Sequence, residues 1–259
     1  MVTSKVFKGR EINNLPLKIE VFTSMKITPE IALIHGHLCG DGSVYISKEK
    51  RSPGSLLNHK RRNLNVNMWY ICYTNNNKEL LNEFADAMMK QFKRKAQWPK
   101  GKSEVRYKGC KHIIEKLSVL NKNSYSWSIP SFISNATSKI VAHWLRAFFD
   151  DEGSVIVKEK KIKLDVVNER GLLSVRSLLK SLGIESKMYG PYKSKNPNHA
   201  LRFRIVIGRN SLQEYHKKVS FTHPEKKIKL EFLVGQGGFE PPTPRSSAVC
   251  SPRLSYCPI

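Results

Sequence analysis

The sequence is short of acid. Against 45 lysines and arginines it sets only 21 aspartates and glutamates, a formal net charge of +24 over 259 residues. An excess of that size repels itself in a compact fold and points to a polyanionic partner. The chain also lacks any apolar run approaching the roughly 20 residues of a spanning helix, which argues against a membrane role. MVTSKVFKGREINNLPLKIEVF at the N-terminus has no apolar core of the secretory kind. There is no Cys-x-x-Cys pair. The five cysteines (Cys39, Cys72, Cys110, Cys250 and Cys257) are scattered and odd in number. That argues against a disulfide scaffold or a zinc ribbon and for a reducing, cytoplasmic setting. His35 and His37 stand two apart on an expected helix, so they face different ways and read as packing or surface residues, not a ligand pair.

What the sequence does contain is a repeat. Thr28-Pro29-Glu30 is a helix start, with a Thr cap, Pro at the first helical position and an acid in the first turn. The apolar segment IALIHGHLCGDGSV follows, and KIVAHWLRAFFDDEGSV reads the same way further on. Both close on acid-Gly-Ser-Val, at Asp41 and at Glu152. Before each downstream helix lies an alternating strand, WYICYT or IKLDVV. Those amphipathic helices begin at Asn76 and Asn168, each read as a cap. Basic strands VRYK and LRFR come next, with Arg106 and Lys108 in phase with Arg202 and Arg204, and then KHIIEKLSVL or SLQEYHKKVS as a closing helix. The first copy is longer by 19 residues, in the basic loop around KEKRSPGSLLNHKRRNLN.

Each unit therefore reads helix, two strands, helix, two strands, helix. The expected fold is α+β, two αββαββα repeats related by a pseudo-twofold axis. Residues 25–130 form the first repeat and 131–234 the second, joined near WSIPSFISN. Residues 1–24 read as an extension, and the Pro- and Ser-rich residues 235–259 as a disordered tail.

Gly36 and Gly40 share one face of the first motif helix, opposite Ala147 and Asp151 of the second copy. Small residues there let two helices approach backbone to backbone. Asp41 and Glu152 would then emerge together. A carboxylate at a helix C-terminus faces the negative end of the dipole, and two of them repel. A divalent cation relieves both penalties, and oxygen-only ligands suit Mg²⁺.

The nine-residue segments IHGHLCGDG and LRAFFDDEG, residues 34–42 and 145–153, resemble the paired motifs of the LAGLIDADG homing endonucleases, in the two-motif, archaeal-like form. The resemblance implies a monomeric, site-specific DNA endonuclease using Mg²⁺ or Mn²⁺, with its two antiparallel sheets forming a saddle over a long, asymmetric double-stranded site. It implies that Asp41 and Glu152 are the metal-binding catalytic acids, with Gly40 and Asp151 beside the same ions. Lys163, Lys226 and Lys227 are candidate helper cations near the acids. Cys39 stands where the second copy keeps Asp150. An intron-RNA maturase, with host intron RNA as partner, and a cleavage-inactive DNA-binding regulator are the alternatives on the same scaffold. An intein-embedded enzyme is disfavoured, because position 1 is neither Cys nor Ser and the end is not His-Asn.

The alternation predicts which residues read DNA. Leu64, Val66, Met68 and Tyr70 would face the helices, leaving Asn65, Asn67 and Trp69 outward. Leu201, Phe203 and Ile205 would face in, with Arg202 and Arg204 out. Arg106 and Lys108 belong to the same outward set. Outward Asn and Arg suit adenine and guanine edges, while Lys60-Arg61-Arg62 suits phosphates. From Gly42 to Cys110 there are 15 basic residues against 5 acidic, and from Gly153 to Gly208 there are 12 against 4. Both sheet-bearing regions are basic, as two halves of one surface should be.

Overall fold

The computed structural model describes residues 26–50, 65–119, 123–193 and 200–235. The expected N-terminal extension, the C-terminal tail, Leu64 and the Lys60-Arg61-Arg62 cluster lie outside the described residues, apart from Gly235. The Thr28 hydroxyl accepts from the Ile31 N–H at 3.3 Å and starts α1, Pro29–Cys39. Strands β1, Gly42–Lys50, and β2, Asn65–Thr74, follow as an antiparallel pair. Helix α2, Lys78–Phe92, is capped by Asn77, whose side chain accepts from the Glu79 and Leu80 N–H groups. The cap thus falls one residue past the expected Asn76. Strand β3, Glu104–Lys108, and the short helix α3, Lys111–Lys116, complete the first half.

The second half opens with α4, Ser131–Ser134, and α5, Ser138–Glu152. Then come β4, Gly153–Ile156, β5, Lys161–Val166, and α6, Glu169–Ser181, capped by Asn168 as expected. Strands β6, Lys187–Tyr192, and β7, Arg202–Ile207, lead to α7, Arg209–Lys218. An unanticipated helix α8, Pro224–Gly235, closes the described chain. Pro224 and Glu225 are its start signal.

The sheets are unequal. The second has four strands in the order β4-β5-β7-β6, while the first has three, β1-β2-β3. Its expected fourth strand shrinks to one bridge, in which Gln97 and Arg106 exchange two 2.9 Å hydrogen bonds. Pro99, which has no N–H to give a ladder, and Gly101 in the left-handed region turn the chain away.

One face of the first sheet packs on α1, α2 and α3, through Ile71, Tyr73, Val105 and Tyr107. Trp69 packs against the same core. This corrects the expected phase of β2. Trp69, and with it Asn67, point to the helix side, whereas Met68, Tyr70 and Cys72 line the open face. The Asn67 side chain is nevertheless exposed at the far end of the strand. The run NMWYICYT is apolar at nearly every position, so alternation alone could not choose its phase. Pairing with β3 does choose it, since Tyr70 lies opposite Lys108 and Cys72 opposite Arg106. Asn65 lies in β2, but its side chain is outside the described residues.

The second sheet keeps the expected phase. Phe203, Ile205 and Ile207 are buried, and Arg202 and Arg204 alternate with them. Leu201, expected to face in, is 43% exposed just ahead of β7.

Helices α1 and α5 pack side by side at the centre, and Ile31 to Cys39 are all buried. A helix covered all round has no polar face to keep, which accounts for the apolar IALIHGHLC. A Cβ at Gly36 would stand 2.7 Å from the Trp144 carbonyl oxygen and 2.9 Å from the Ala147 Cβ. The contact is therefore backbone on backbone. Gly36→Val should cost about 1–3 kcal/mol or more by overpacking, read as a lower urea midpoint. An unchanged midpoint would mean that the helices have room to part.

Candidate active site

Asp41 follows directly on the C-terminus of α1, and Glu152 is the last residue of α5. Packing at Gly36 and Ala147 brings these two ends together, as the sequence predicted. A Cβ at Gly40 would stand 2.5 Å from the Asp151 carboxylate, so the second small residue also sits at the crossing. Burial and neighbouring carboxylates raise both acids, and Asp41 acts directly on Glu152. Burial and the charge of Asp151 push Asp41 up to about 6. Burial, Asp41 and Asp151 push Glu152 up to about 7.

Their hydrogen bonding differs. Asp41 accepts from the Asn75 amide at 2.9 Å. The Asn75 side-chain oxygen accepts the Asn77 N–H at 2.8 Å, which fixes its amide toward the acid. The Glu152 carboxylate accepts no hydrogen bond from another described residue. A cleft of about 510 Å³ opens beside it, lined also by Gly40, Gly42, Asp165 and Arg202.

Asp151 is engaged differently. Its side chain is fully buried and accepts from the Tyr73 hydroxyl at 2.7 Å and the Asp41 N–H at 3.3 Å. It also contacts His37 Nδ1 at 3.1 Å and Asn75 at 3.4 Å. These partners leave the side chain committed to the interior, so the oxygen that Asp151 can offer an ion is its main-chain carbonyl. Burial alone would lower the His37 pKa. The charge and hydrogen bond of Asp151 outweigh burial and raise it to about 9. Glu83 stands 3.9 Å from His37 Nε2 and is bridged by Arg146 at 2.7 Å. Asp150, the earlier motif acid, accepts the Thr222 and His223 N–H groups at 3.1 and 2.9 Å, pinning the chain just ahead of α8. In the first copy Cys39 packs near His35, whose Nδ1 accepts the Trp144 indole N–H at 2.9 Å.

The candidate lysines separate clearly. Lys226 lies on the carbonyl end of α5, 3.4 Å from the Phe149 and Asp151 oxygens and bonded to that of Asp150. Helix α5 has no basic residue in its last turn, so Lys226 supplies the cation there from α8. Burial lowers its pKa, while Asp150, Asp151, Asp41 and Glu152 all act to raise it. Lys227 is exposed on the outer side of α8. Lys163 sits on the open face of the second sheet, paired with Asp165 at 2.5 Å.

Of the DNA-reading candidates, Arg106, Lys108, Arg202 and Arg204 lie on the open faces, whereas Asn67 and Trp69 do not. Arg106 bonds Glu104 at 2.7 Å. Lys108 pairs with Glu49, which also accepts the Tyr70 hydroxyl, and Tyr70 stacks on Tyr45 at 5.0 Å. Arg204 bonds Asp165 at 2.6 Å and lies 4.9 Å over the Tyr192 ring. Arg202 is exposed beside Glu152's cleft. Sequence reasoning missed Asn75, seen only as part of an Asn run, and His37, set aside because of its spacing from His35.

Residues 139–220 match the family model described as the LAGLIDADG-like domain. The described body has the LAGLIDADG homing-endonuclease fold, α+β with two antiparallel sheets. The solved structure of I-DmoI in complex with DNA and Ca superposes with a TM-score of 0.55 at 18% identity, over 79% of this chain and 97% of that one. Mesophilic variants of I-DmoI give 0.53 at 18% identity, over 74% and 95%. The homing endonuclease I-ApeI of Aeropyrum pernix is 23% identical over 180 residues, 65% of this chain and 79% of that protein. The glutamine–fructose-6-phosphate aminotransferase of Methanocaldococcus jannaschii is 24% identical over 216 residues, 81% of this chain and only 18% of its own length. A probable translation initiation factor IF-2 and an RNA polymerase subunit of that organism match over 14% and 13% of theirs. Proteins with such unrelated names share a segment with this chain, so their named activities say nothing about it. Among the described residues no helix is long and apolar enough to cross a membrane.

Removing the His37 imidazole strands Asp151 as a buried charge. His37→Leu should therefore destabilise the fold by about 3–5 kcal/mol at neutral pH. Because the folded pKa lies above the unfolded one, this contribution is complete below about pH 6.5 and lost as pH rises through about 9. Urea titrations of both proteins across that window should converge toward pH 9. A constant gap would mean that the pair carries no linked proton.

Proposed function

We propose that this chain is a site-specific endonuclease that hydrolyses double-stranded DNA with a divalent cation, Mg²⁺ or Mn²⁺, and acts as a monomer. One observation carries the reading: two motif helices in backbone contact gather Asp41, Asp151 and Glu152 closely enough that Asp151 raises the proton affinity of Asp41, and both aspartates raise that of Glu152. Nothing in folding favours such a cluster. A cation does, and related structures with this fold were solved with DNA and Mn or Ca.

The residues fit such an ion. Glu152 has oxygens without a described partner, and Asn75 turns Asp41 toward the same end of the helix pair. Among the described residues no group of three or more His, Cys, Asp or Glu side chains could hold a metal. The ligand set would therefore be the two carboxylates, main-chain oxygens of Gly40 and Asp151, and water, the manner in which Mg²⁺ is usually held. The ion would activate water and stabilise the leaving oxygen. Lys226 would orient the end of α5 and add positive charge beside the reacting phosphate, while Asn75 would hold Asp41 in one rotamer. Lys163, engaged by Asp165 on the sheet, is better suited to contacting DNA than to the reacting atoms.

The two open faces supply the site's length. A strand of nine residues, such as β1, spans roughly 30 Å, about nine base pairs. Two sheets would read about twice that, and their unequal strand number suits an asymmetric site. A regulator that had lost cleavage would have no use for two acids held against their mutual repulsion.

Asp41→Asn or Glu152→Gln should abolish double-strand cleavage while leaving DNA binding nearly intact, tested by plasmid nicking with Mg²⁺ and gel shifts with Ca²⁺. Full cleavage by either variant would sink the assignment. Arg204→Ala should cost about 1–3 kcal/mol of binding and relax preference at one or two base pairs. Comparison of the selected duplex with scrambled DNA reads this, and an equal loss on every sequence would make the sheet a generic basic surface.

A further inference from the structure

At the outer edge of the second sheet, away from the acids, lies a cleft of about 810 Å³ between α6, β6 and the N-terminus of α7. Arg176, Lys180, Lys187 and Arg209 line it, against the single carboxylate of Glu185. Among the described residues none of these four cations is in an ion pair. On the open faces most candidate cations are paired, Lys163 and Arg204 with Asp165, Arg106 with Glu104 and Lys108 with Glu49, while Arg202 is not.

Helix α7 points its start into this cleft. Gly208 supplies no side-chain cap, no acid lies in the first turn, and the first residue is Arg209. A cation at the positive end of a helix is in the unfavourable place unless an anion joins it. A Cβ built on Gly208 would meet nothing within 4 Å, so the approach to those N–H groups is open. Ser211, 7% exposed, lines the cleft; its N–H bonds the Gly208 carbonyl, while its hydroxyl has no hydrogen-bond partner among the described residues. The Ser186 hydroxyl on the same wall is likewise buried and unpartnered. Uncapped N–H groups, two free hydroxyls and unpaired cations together fit one tetrahedral oxyanion.

We propose that this cleft holds a backbone phosphate of the duplex where it runs past the edge of the sheet, anchoring DNA outside the stretch whose bases are read. The source of the phosphate follows from continuity with the reading face. Lys187 and Tyr189 on the edge strand β6 pair with Val206 and Arg204 of β7, so the cleft continues the surface that carries Arg204. The proposal rests on the endonuclease reading.

The test uses the duplex that the full chain selects from a randomised pool, in two lengths, trimmed to the selected core and extended beyond it on both sides. Binding is measured over a salt series, and melting in inorganic phosphate against chloride at equal ionic strength. Lys180→Ala with Arg209→Ala should lower affinity for the extended duplex on the order of 10-fold and reduce its salt slope by about two. The trimmed duplex should bind as to wild type. Gly208→Asp should produce the same selective loss without lowering the melting temperature, because its carboxylate caps the helix while occupying the phosphate position. Equal losses on both lengths would overturn the anchor in favour of diffuse surface charge. Stabilisation by inorganic phosphate that only wild type shows, with DNA binding unchanged, would leave a small-anion site and overturn it too. So would a loss confined to structured RNA. Failure of the endonuclease reading shows separately, as wild type that binds the selected duplex and never cuts it.

Discussion

The backbone contact between α1 and α5 at Gly36 and Ala147 is the constraint on which the rest depends. It sets the distance between two helix C-termini and hence the repulsion between Asp41 and Glu152. It also orients the two sheets, because each sheet follows directly from one of these helices: β1 begins one residue after Asp41, and β4 one residue after Glu152. In the proposed endonuclease, chemistry and DNA reading would therefore share one mechanical origin. A side chain that wedged the helices apart would relax the acids and splay the sheets in the same movement.

Close approach of two carboxylate-bearing helix ends needs compensation from within the protein. His37 neutralises Asp151 from inside α1, and Lys226 reaches back from α8 to the carbonyls that end α5. Asp150 in turn holds the backbone just ahead of α8, the helix that delivers Lys226. These are reciprocal arrangements, an acid from α5 holding the chain ahead of α8 and a base from α8 finishing α5. The fold thereby settles the charge around Asp41 and Glu152 without supplying a donor to Glu152 itself. The energy left unrelieved there is what a cation can use.

The sequence disclosed the repeat, the paired acids and the small residues between them, because these depend on local spacing and on steric size. It disclosed the phase of β7 because only one of its alternating sets is apolar. It failed at β2, where Trp69, Tyr70, Ile71, Cys72 and Tyr73 are all at home in a core and only pairing with β3 decides. His37 was illegible for a related reason. The rule that residues two apart face opposite sides holds for α1, yet both sides of a central helix are interior, so opposite facing did not mean that either histidine was free of a charged partner. Asn75 was hidden among three asparagines, any of which could cap α2. Its role appears only when Asp41 is brought to it from 34 residues away.

The open faces carry a second regularity that composition alone obscures. A chain of +24 would be expected to bind DNA by bulk attraction, yet Arg106, Lys108, Lys163 and Arg204 are each held by a carboxylate. On the proposed reading, such pairing would reduce the net field at the groove and so weaken sequence-independent binding. It also fixes each cation in one direction: Arg204 is held both by Asp165 and by the face of Tyr192. A guanidinium already ordered loses less freedom on meeting a guanine edge. The carboxylate beside it can accept from a cytosine amino group or repel a wrong acceptor. On the proposed reading, the attraction withheld there would come from unpaired cations, among them Arg176, Lys180, Lys187 and Arg209 at the edge of the second sheet. In the proposed endonuclease, paired cations such as Arg204 would then serve base discrimination, and unpaired ones at the sheet edge would hold phosphate.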